Sequence, residues 1–156
     1  MFHFFKKKKS LRKNISPSIT VEPIDWLLMI KLYVNNSREA QIKCVLESDT
    51  TILIGDIEHV KEENFNKGYG SAMVEKLIQF AKENGYSHIY GNLSMVDLDH
   101  QERLYHFYEK FGFKITEYDD QQGNYFGRID LDILSPAEPE AIDSNDCISN
   151  LQQCNN

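Results

Sequence analysis

Hydrophobic and polar positions follow two periodicities between residues 19 and 134, one typical of strands and one typical of helices. These periodicities predict six strands and two helices. Alternating or continuous apolar residues bounded by turn residues predict strands over residues 26–34, 40–46, 51–60, 87–94, 113–118 and 125–133. Apolar residues at helical spacing predict helices over 70–84 and 101–111. Each predicted helix is followed by a glycine, which is the usual residue just beyond a helix C-terminus.

The order of these elements, β-β-β-α-β-α-β-β, predicts an α/β (α+β) fold with one mixed sheet. The third and fourth strands are joined through a helix, so they are expected to be parallel neighbours with a right-handed crossover. The remaining strands are joined by short turns and are expected to pair antiparallel. The predicted domain covers residues 21–134.

The composition of the chain disfavours several classes of protein: nucleic-acid-binding, membrane-spanning and secreted disulfide-rich proteins. The chain has 156 residues, which suits one domain, and a formal net charge of −7, which disfavours nucleic acid as a partner. No run approaches the roughly 18 apolar residues of a membrane span. The start MFHFFKKKKS has the wrong order for a secretory signal, and the three cysteines contain no C-x-x-C pair. We therefore expect a cytoplasmic protein without a metal site or a disulfide framework, in which Cys44 is a small buried residue.

The two ends of the chain differ from the middle. Residues 1–20 are basic, with four consecutive lysines at 6–9, and are expected to form a flexible segment. Residues 135–156 are polar, acidic and poor in aromatics, which predicts a disordered tail without its own core.

The segment NFNKGYGSAM, residues 64–73, lies between a predicted strand and a predicted helix. Gly68 and Gly70 permit a sharp turn and leave the first amides of the helix uncovered. These amides lack partners within the helix, and the helix dipole favours an anion beside them. The segment is therefore a candidate phosphate or pyrophosphate site. A dinucleotide fingerprint would need a glycine at Met73, and a Walker-type loop would need Gly-Lys-Ser/Thr, so neither motif fits.

The segment LYHFYEKFGFKI, residues 104–115, predicts a helix that packs through its aromatic residues and then returns to a strand. Tyr108 lies among these aromatics. A buried tyrosine hydroxyl needs a polar partner, so we expect the Tyr108 hydroxyl to face a wet cleft or a polar group.

Together the two segments resemble the GNAT acetyltransferase superfamily. F-N-K-G-Y-G at 65–70 matches the glycine half of its R/Q-x-x-G-x-G/A signature, and F-Y-E-K-F-G-F at 107–113 matches its L-Y-E-K-x-G-F-like segment. The resemblance covers about residues 26–133. Phe65 departs from the pattern, because the family usually has Arg or Gln there.

The resemblance implies that acetyl-CoA binds between two central parallel strands that splay apart. Its pantetheine arm would pair with residues 57–60, and its pyrophosphate would lie on residues 65–71, with Lys67 as a helper. Gln101 stands seven residues before Tyr108, where the family often has a cofactor-binding Asn. The implied cofactor residues are Ile57, Glu58, His59, Val60, Phe65, Asn66, Lys67, Gly68, Tyr69, Gly70, Ser71, Gln101 and Tyr108.

The implied activity is transfer of an acetyl group to a primary amine, either a small amine or a protein amine, without a metal. Tyr108 matches the family tyrosine that protonates the departing thiolate, and a backbone N–H near Val60 would hold the thioester carbonyl. Glu58, beside the expected thioester, ranks first as the base that takes the proton of the amine. Asp56, Asp97, Asp99 and His100 are the other candidates, with Asp99 also expected to cap the second helix.

Because of Phe65, a catalytically inactive CoA-binding regulatory module is the alternative function. The sequence is compatible with a monomer or a homodimer.

Overall fold

The computed structural model describes residues 16–60 and 67–133. The expectations for residues 1–15, for Phe65 and Asn66, and for the C-terminal tail lie outside the described residues. The elements, in chain order, are β1 Ser18–Ile24, β2 Leu27–Val34, β3 Ser37–Leu46, β4 Thr51–His59, α1 Tyr69–Glu83, β5 His88–Ser94, a 3₁₀-helix Met95–His100, α2 Gln101–Glu109, β6 Lys114–Gln122 and β7 Tyr125–Asp132.

The described strands form one mixed sheet in the order β1-β2-β3-β4-β5-β7-β6. Strands β4 and β5 pair parallel, and every other neighbouring pair is antiparallel. The predicted fold class and the parallel central pair are therefore confirmed.

Strand β1 is a strand that the sequence analysis did not predict. Its inward residues Ile19 and Val21 alternate with Thr20 and Glu22, which is the pattern of a half-buried strand. Pro23 obscures this pattern, but proline is tolerated in a strand at the edge of a sheet. Because β1 begins at Ser18, the predicted boundary between a flexible segment and the domain at residue 21 cuts through this strand.

A large part of the core lies between one face of the sheet and α1. It is built from alternate residues of β2 and β3 and from the apolar stripe of the helix: Leu28, Ile30, Leu32, Ala40, Ile42, Cys44, Met73, Val74, Leu77 and Ala81. Full burial of each large aliphatic side chain contributes about 1.5–3 kcal/mol. Cys44 is buried as expected, and its burial raises the thiol pKa to about 12.

The central parallel pair separates halfway along its length. Pairing between β4 and β5 runs from Thr51 with His88 to Ile54 with Gly91, and both strands continue beyond that point without pairing to each other. Directly after Ile54, the register of β4 against β3 shifts, so Gly55 is an extra residue in β4. Such a bulge bends a strand and increases its twist. The bulge at Gly55 therefore accounts for the divergence of β4 from β5, which opens the sheet at its centre.

Candidate active site

A cleft of about 830 Å³ lies where β4 and β5 diverge. Its walls come from the second halves of these two strands, the glycine turn before α1, the 3₁₀-helix and one side of α2. The lining includes Asp56, Ile57, His59, Gly68, Tyr69, Gly70, Ser71, Asn92, Asp97, His100, Phe107, Tyr108 and Lys110. Two segments singled out in the sequence, the glycine turn and the Tyr108 helix, thus meet at one site.

Beyond Ile54, the edge of β4 that faces the cleft does not pair with β5. Val60 donates its N–H to the carbonyl of Glu39 at 2.9 Å, so this N–H points away from the cleft toward β3. Because successive N–H groups of a strand point to opposite edges, those of Ile57 and His59 point toward the cleft. The expected carbonyl donor near Val60 is therefore not the N–H of Val60 itself; the N–H of His59 has the required direction.

The glycine turn presents the first amides of α1 to the cleft. Gly68 adopts a φ of 79°, a left-handed conformation that favours glycine, and α1 begins directly after it. The first helical bond that closes here runs from Ala72 N–H to the Gly68 carbonyl, at 3.0 Å. The amides of Tyr69, Gly70 and Ser71 precede this bond, and no side chain caps the helix. This geometry suits an anion, as expected from the sequence.

Lys67 precedes the turn and is exposed, with its ammonium 6.0 Å from the centre of the Tyr69 ring. It does not line the cleft. Its role as a helper for the pyrophosphate stays a prediction.

Tyr108 projects from α2 into the cleft and is only 7 % exposed. Its ring packs edge-on against Phe107 and Phe113, with centroids 5.0 and 5.5 Å away. Within residues 16–60 and 67–133, its hydroxyl has no hydrogen-bond partner and is left to the cleft. Burial raises the pKa of Tyr108, and the negative charge of Asp97 raises it further. The hydroxyl therefore stays protonated at neutral pH and can donate a hydrogen bond.

The two candidate bases on β4 have opposite surroundings. Glu58 accepts hydrogen bonds from Lys43 and Gln41, which lower its pKa, and it does not line the cleft. Asp56 lines the cleft, and its pKa is raised by burial and by a hydrogen bond with the Glu58 carboxyl. A carboxylate with a raised pKa accepts a proton more readily. The geometry therefore favours Asp56 over Glu58, the residue ranked first from the sequence.

The connection to α2 differs from the expectation. The residue before α2 is His100, with no side-chain cap, and the 3₁₀-helix is capped instead by Ser94, whose Oγ accepts from Val96 N–H at 3.4 Å. The predicted capping role of Asp99 is therefore wrong, because Asp99 already lies inside the 3₁₀-helix. Asp97 and His100 line the cleft.

Gln101 is held outside the cleft. Its amide Nε2 lies 2.7 Å from the Tyr105 hydroxyl and 3.0 Å from Glu117 Oε1 on β6. Two helical turns do place Gln101 and Tyr108 on the same side of α2, but β6 supplies the acceptor that turns the Gln101 amide away. The structure thus gives no support to Gln101 as a cofactor residue, and Leu104 and Phe107 form the wall beside Tyr108.

Two further features of the described residues concern metal binding and membrane insertion. No group of three or more His, Cys, Asp or Glu side chains in this part of the chain is arranged to hold a metal ion. None of its helices is long and apolar enough to cross a membrane.

Lys110 is the cleft residue whose role sequence reasoning missed. The sequence analysis includes Lys110 in the F-Y-E-K-F-G-F segment but assigns it no function. Its position three residues after Phe107 places both on the same side of α2, which was the available signal.

Comparison with known proteins agrees with this geometry. The family model described as "Acetyltransferase (GNAT) domain" matches residues 31–115, a little over half of the chain. The uncharacterized protein YocC of Bacillus subtilis (strain 168) is 35 % identical over 83 residues, which make up 53 % of this chain and 48 % of YocC. The chain thus spans about half the length of this curated relative.

Two solved structures share the fold. The IAA acetyltransferase from Bacillus cereus ATCC 14579 aligns with a TM-score of 0.58 at 17 % identity, over 76 % of this chain and 100 % of that one. A GNAT family acetyltransferase from Elizabethkingia anophelis with acetyl-CoA bound aligns with a TM-score of 0.55 at 16 % identity, over 78 % and 100 % of the two chains.

The family model, the diverging parallel strands and the glycine turn at the start of α1 lead to one conclusion: this chain belongs to the GNAT acetyltransferase family.

Proposed function

We propose that the protein is an acetyl-CoA-dependent N-acetyltransferase whose acceptor is a cationic primary amine. The observation that carries the proposal is one cleft that joins a strand edge not paired with β5, uncovered helix amides and the Tyr108 hydroxyl. An extended pantetheine arm can pair with the edge at Ile57 and His59, and its diphosphate can bind the amides of residues 69–71. The related structure with acetyl-CoA bound supports this cofactor.

The transfer then needs two proton movements. The neutral amine attacks the thioester carbonyl, whose oxygen a backbone N–H near the end of β4 can hold. As the C–S bond breaks, Tyr108 gives its proton to the departing thiolate, and the amine proton passes to a carboxylate. Asp56 lines the cleft and is the better-placed carboxylate to act as the base. Glu58 is the alternative base that an experiment must exclude.

The two carboxylates of the cleft lining support an amine acceptor. Asp56 and Asp97 both line it, and both lie close enough to Tyr108 to raise its pKa. Two carboxylates in a partly enclosed space attract a cation and can hold an ammonium group before it loses its proton. This argument covers small amines, polyamines and protein amines alike.

The alternative of a catalytically inactive CoA-binding module rests on Phe65 at the position where the family usually has Arg or Gln. Steady-state thiol release from acetyl-CoA with a panel of primary amines distinguishes the two. Release with at least one amine, and none with matched neutral alcohols, is expected. Cofactor binding without release across the whole panel would favour the regulatory module.

Acetyl-CoA is expected to stabilise the fold, because it binds the folded state and not the unfolded chain. At about 100 times its dissociation constant the stabilisation is roughly 2.7 kcal/mol. For a chain of this size this corresponds to a rise of about 5–10 °C in Tm. Thermal unfolding with and without acetyl-CoA measures it, and an unchanged Tm at millimolar acetyl-CoA would contradict the proposed cofactor.

The base is identified by comparing Asp56→Asn with Glu58→Gln. Asp56→Asn is expected to lower kcat/KM by about 10²-fold, the lower range for loss of a general base. Glu58→Gln is expected to keep the activity and to move the acid limb of the pH–rate profile to lower pH, because the Glu58 carboxyl raises the pKa of Asp56. Both are isosteric changes, so each is the other's control. The opposite result, with activity lost only in Glu58→Gln, would restore Glu58 as the base.

A further inference from the structure

The ammonium of Lys110 lies at the first turn of α1, although Lys110 itself belongs to the end of α2. Its Nζ is 2.5 Å from Ser71 Oγ, and it lies 4.6 and 4.8 Å from the ring centres of Phe107 and Phe111. Contacts to a hydroxyl and two aromatic faces fix the charged end of a side chain that would otherwise extend into solvent. The result is a cation held beside the uncovered amides of the glycine turn.

An anion placed beside this ammonium would be attracted by two positive charges. The N-terminus of a helix carries a partial positive charge, so a second positive charge there is repelled. The first turn of α1 contains no acidic residue to offset it. Within residues 16–60 and 67–133, Lys110 forms no ion pair with a carboxylate. Two sources of positive charge therefore converge on one point of the cleft without a negative partner.

We propose that Lys110 binds the diphosphate of coenzyme A across the first turn of α1. The ammonium has three hydrogens, so after bonding Ser71 it can still donate to a diphosphate oxygen. A charged donor here would compensate for the side chain of Phe65, which has no hydrogen-bond donor. This inference rests on the proposed function, and it adds a residue of α2 to a site otherwise built on α1.

The test compares two cofactors in the full chain with and without this charge. Lys110→Met retains the unbranched apolar stem against Phe107 and Phe111 and removes only the ammonium. Dissociation constants are measured for coenzyme A and for dephospho-coenzyme A, which has the diphosphate but lacks the 3′-phosphate. The matched control is Lys76→Met, an exposed lysine of α1 that bonds Gln79 and does not line the cleft.

Lys110→Met is expected to weaken both cofactors equally, by roughly ten-fold, or about 1.4 kcal/mol. The difference from the parent protein should shrink as salt is raised, because exposed charges are screened. Lys76→Met should bind both cofactors as the parent does.

Three outcomes overturn the inference. A loss for coenzyme A alone assigns Lys110 to the 3′-phosphate. Unchanged affinity for both cofactors removes Lys110 from the site, and an equal loss in Lys76→Met shows a general charge effect. Failure of the parent protein to bind coenzyme A is a separate result, which would overturn the proposed function itself.

Discussion

Replacing Tyr108 by phenylalanine is expected to lower kcat by about 10²-fold while acetyl-CoA affinity stays within a few-fold. Phenylalanine keeps the ring that packs edge-on against Phe107 and Phe113, so the buried area and the helix are retained. Only the hydroxyl is lost, and with it the proton for the leaving thiolate. A loss confined to kcat and kcat/KM indicates an interaction made in the transition state.

Tyr105→Phe provides a matched control on the same helix. The Tyr105 hydroxyl donates to Glu117 at 2.7 Å and does not line the cleft, so its removal should leave turnover unchanged. Both variants are measured with a working amine under conditions where chemistry limits the rate. If Tyr108→Phe turns over at the parent rate there, Tyr108 is not the proton donor, and His100 or solvent takes its place.

Gly70→Val is expected to abolish most acetyl-CoA binding, with a loss of at least about 100-fold. A Cβ at Gly70 would lie 3.4 Å from the Phe107 ring and 4.0 Å from His59 Cε1. It would therefore point toward two residues that line the cleft. The two methyl groups of valine extend past that contact, cover the helix amides and displace Phe107. Overpacking of this kind costs about 1–3 kcal/mol of stability, so unfolding is measured alongside binding.

Two further variants distinguish a loss of the cofactor site from a general disruption of helix α1. Gly70→Ala adds only the Cβ, which meets ordinary contact distances, and should bind several-fold more weakly at most. Ala72→Val makes a β-branched change on the same helix away from the cleft and should bind normally. Unchanged affinity in a folded Gly70→Val variant would show that the glycine turn does not bind the cofactor.

Much of the fold follows from local patterns. Continuous apolar strands around an amphipathic helix specify the parallel pair β4 and β5, and Gly85 and Gly112 end their helices with positive φ values, as expected for these stops. Strand β1 was missed because Pro23 interrupts a short alternation whose partner strand determines its pairing. The bulge at Gly55 was also missed, since the extra residue shows only when β4 is set against β3.

The parts of the site made by the backbone were easier to predict than those made by long side chains. The glycine turn lines the cleft where the motif placed it, because its geometry depends on local backbone conformation such as the positive φ of Gly68. The directions of Gln101 and Glu58 depend instead on Glu117 and Lys43, which come from other strands. Sequence spacing places a residue on a face, but it does not reveal which distant partner will engage a flexible amide or carboxylate.

The divergence of β4 from β5 also bears on self-association. Unpaired strand edges usually lie at the rim of a sheet, where they can recruit a strand from another molecule and start aggregation. In this sheet an additional edge lies at the centre, where β4 and β5 stop pairing with each other after Ile54 and Gly91. The glycine turn, the 3₁₀-helix and α2 line the cleft around this edge, so the strand of another sheet has less access to it than to an edge at the rim.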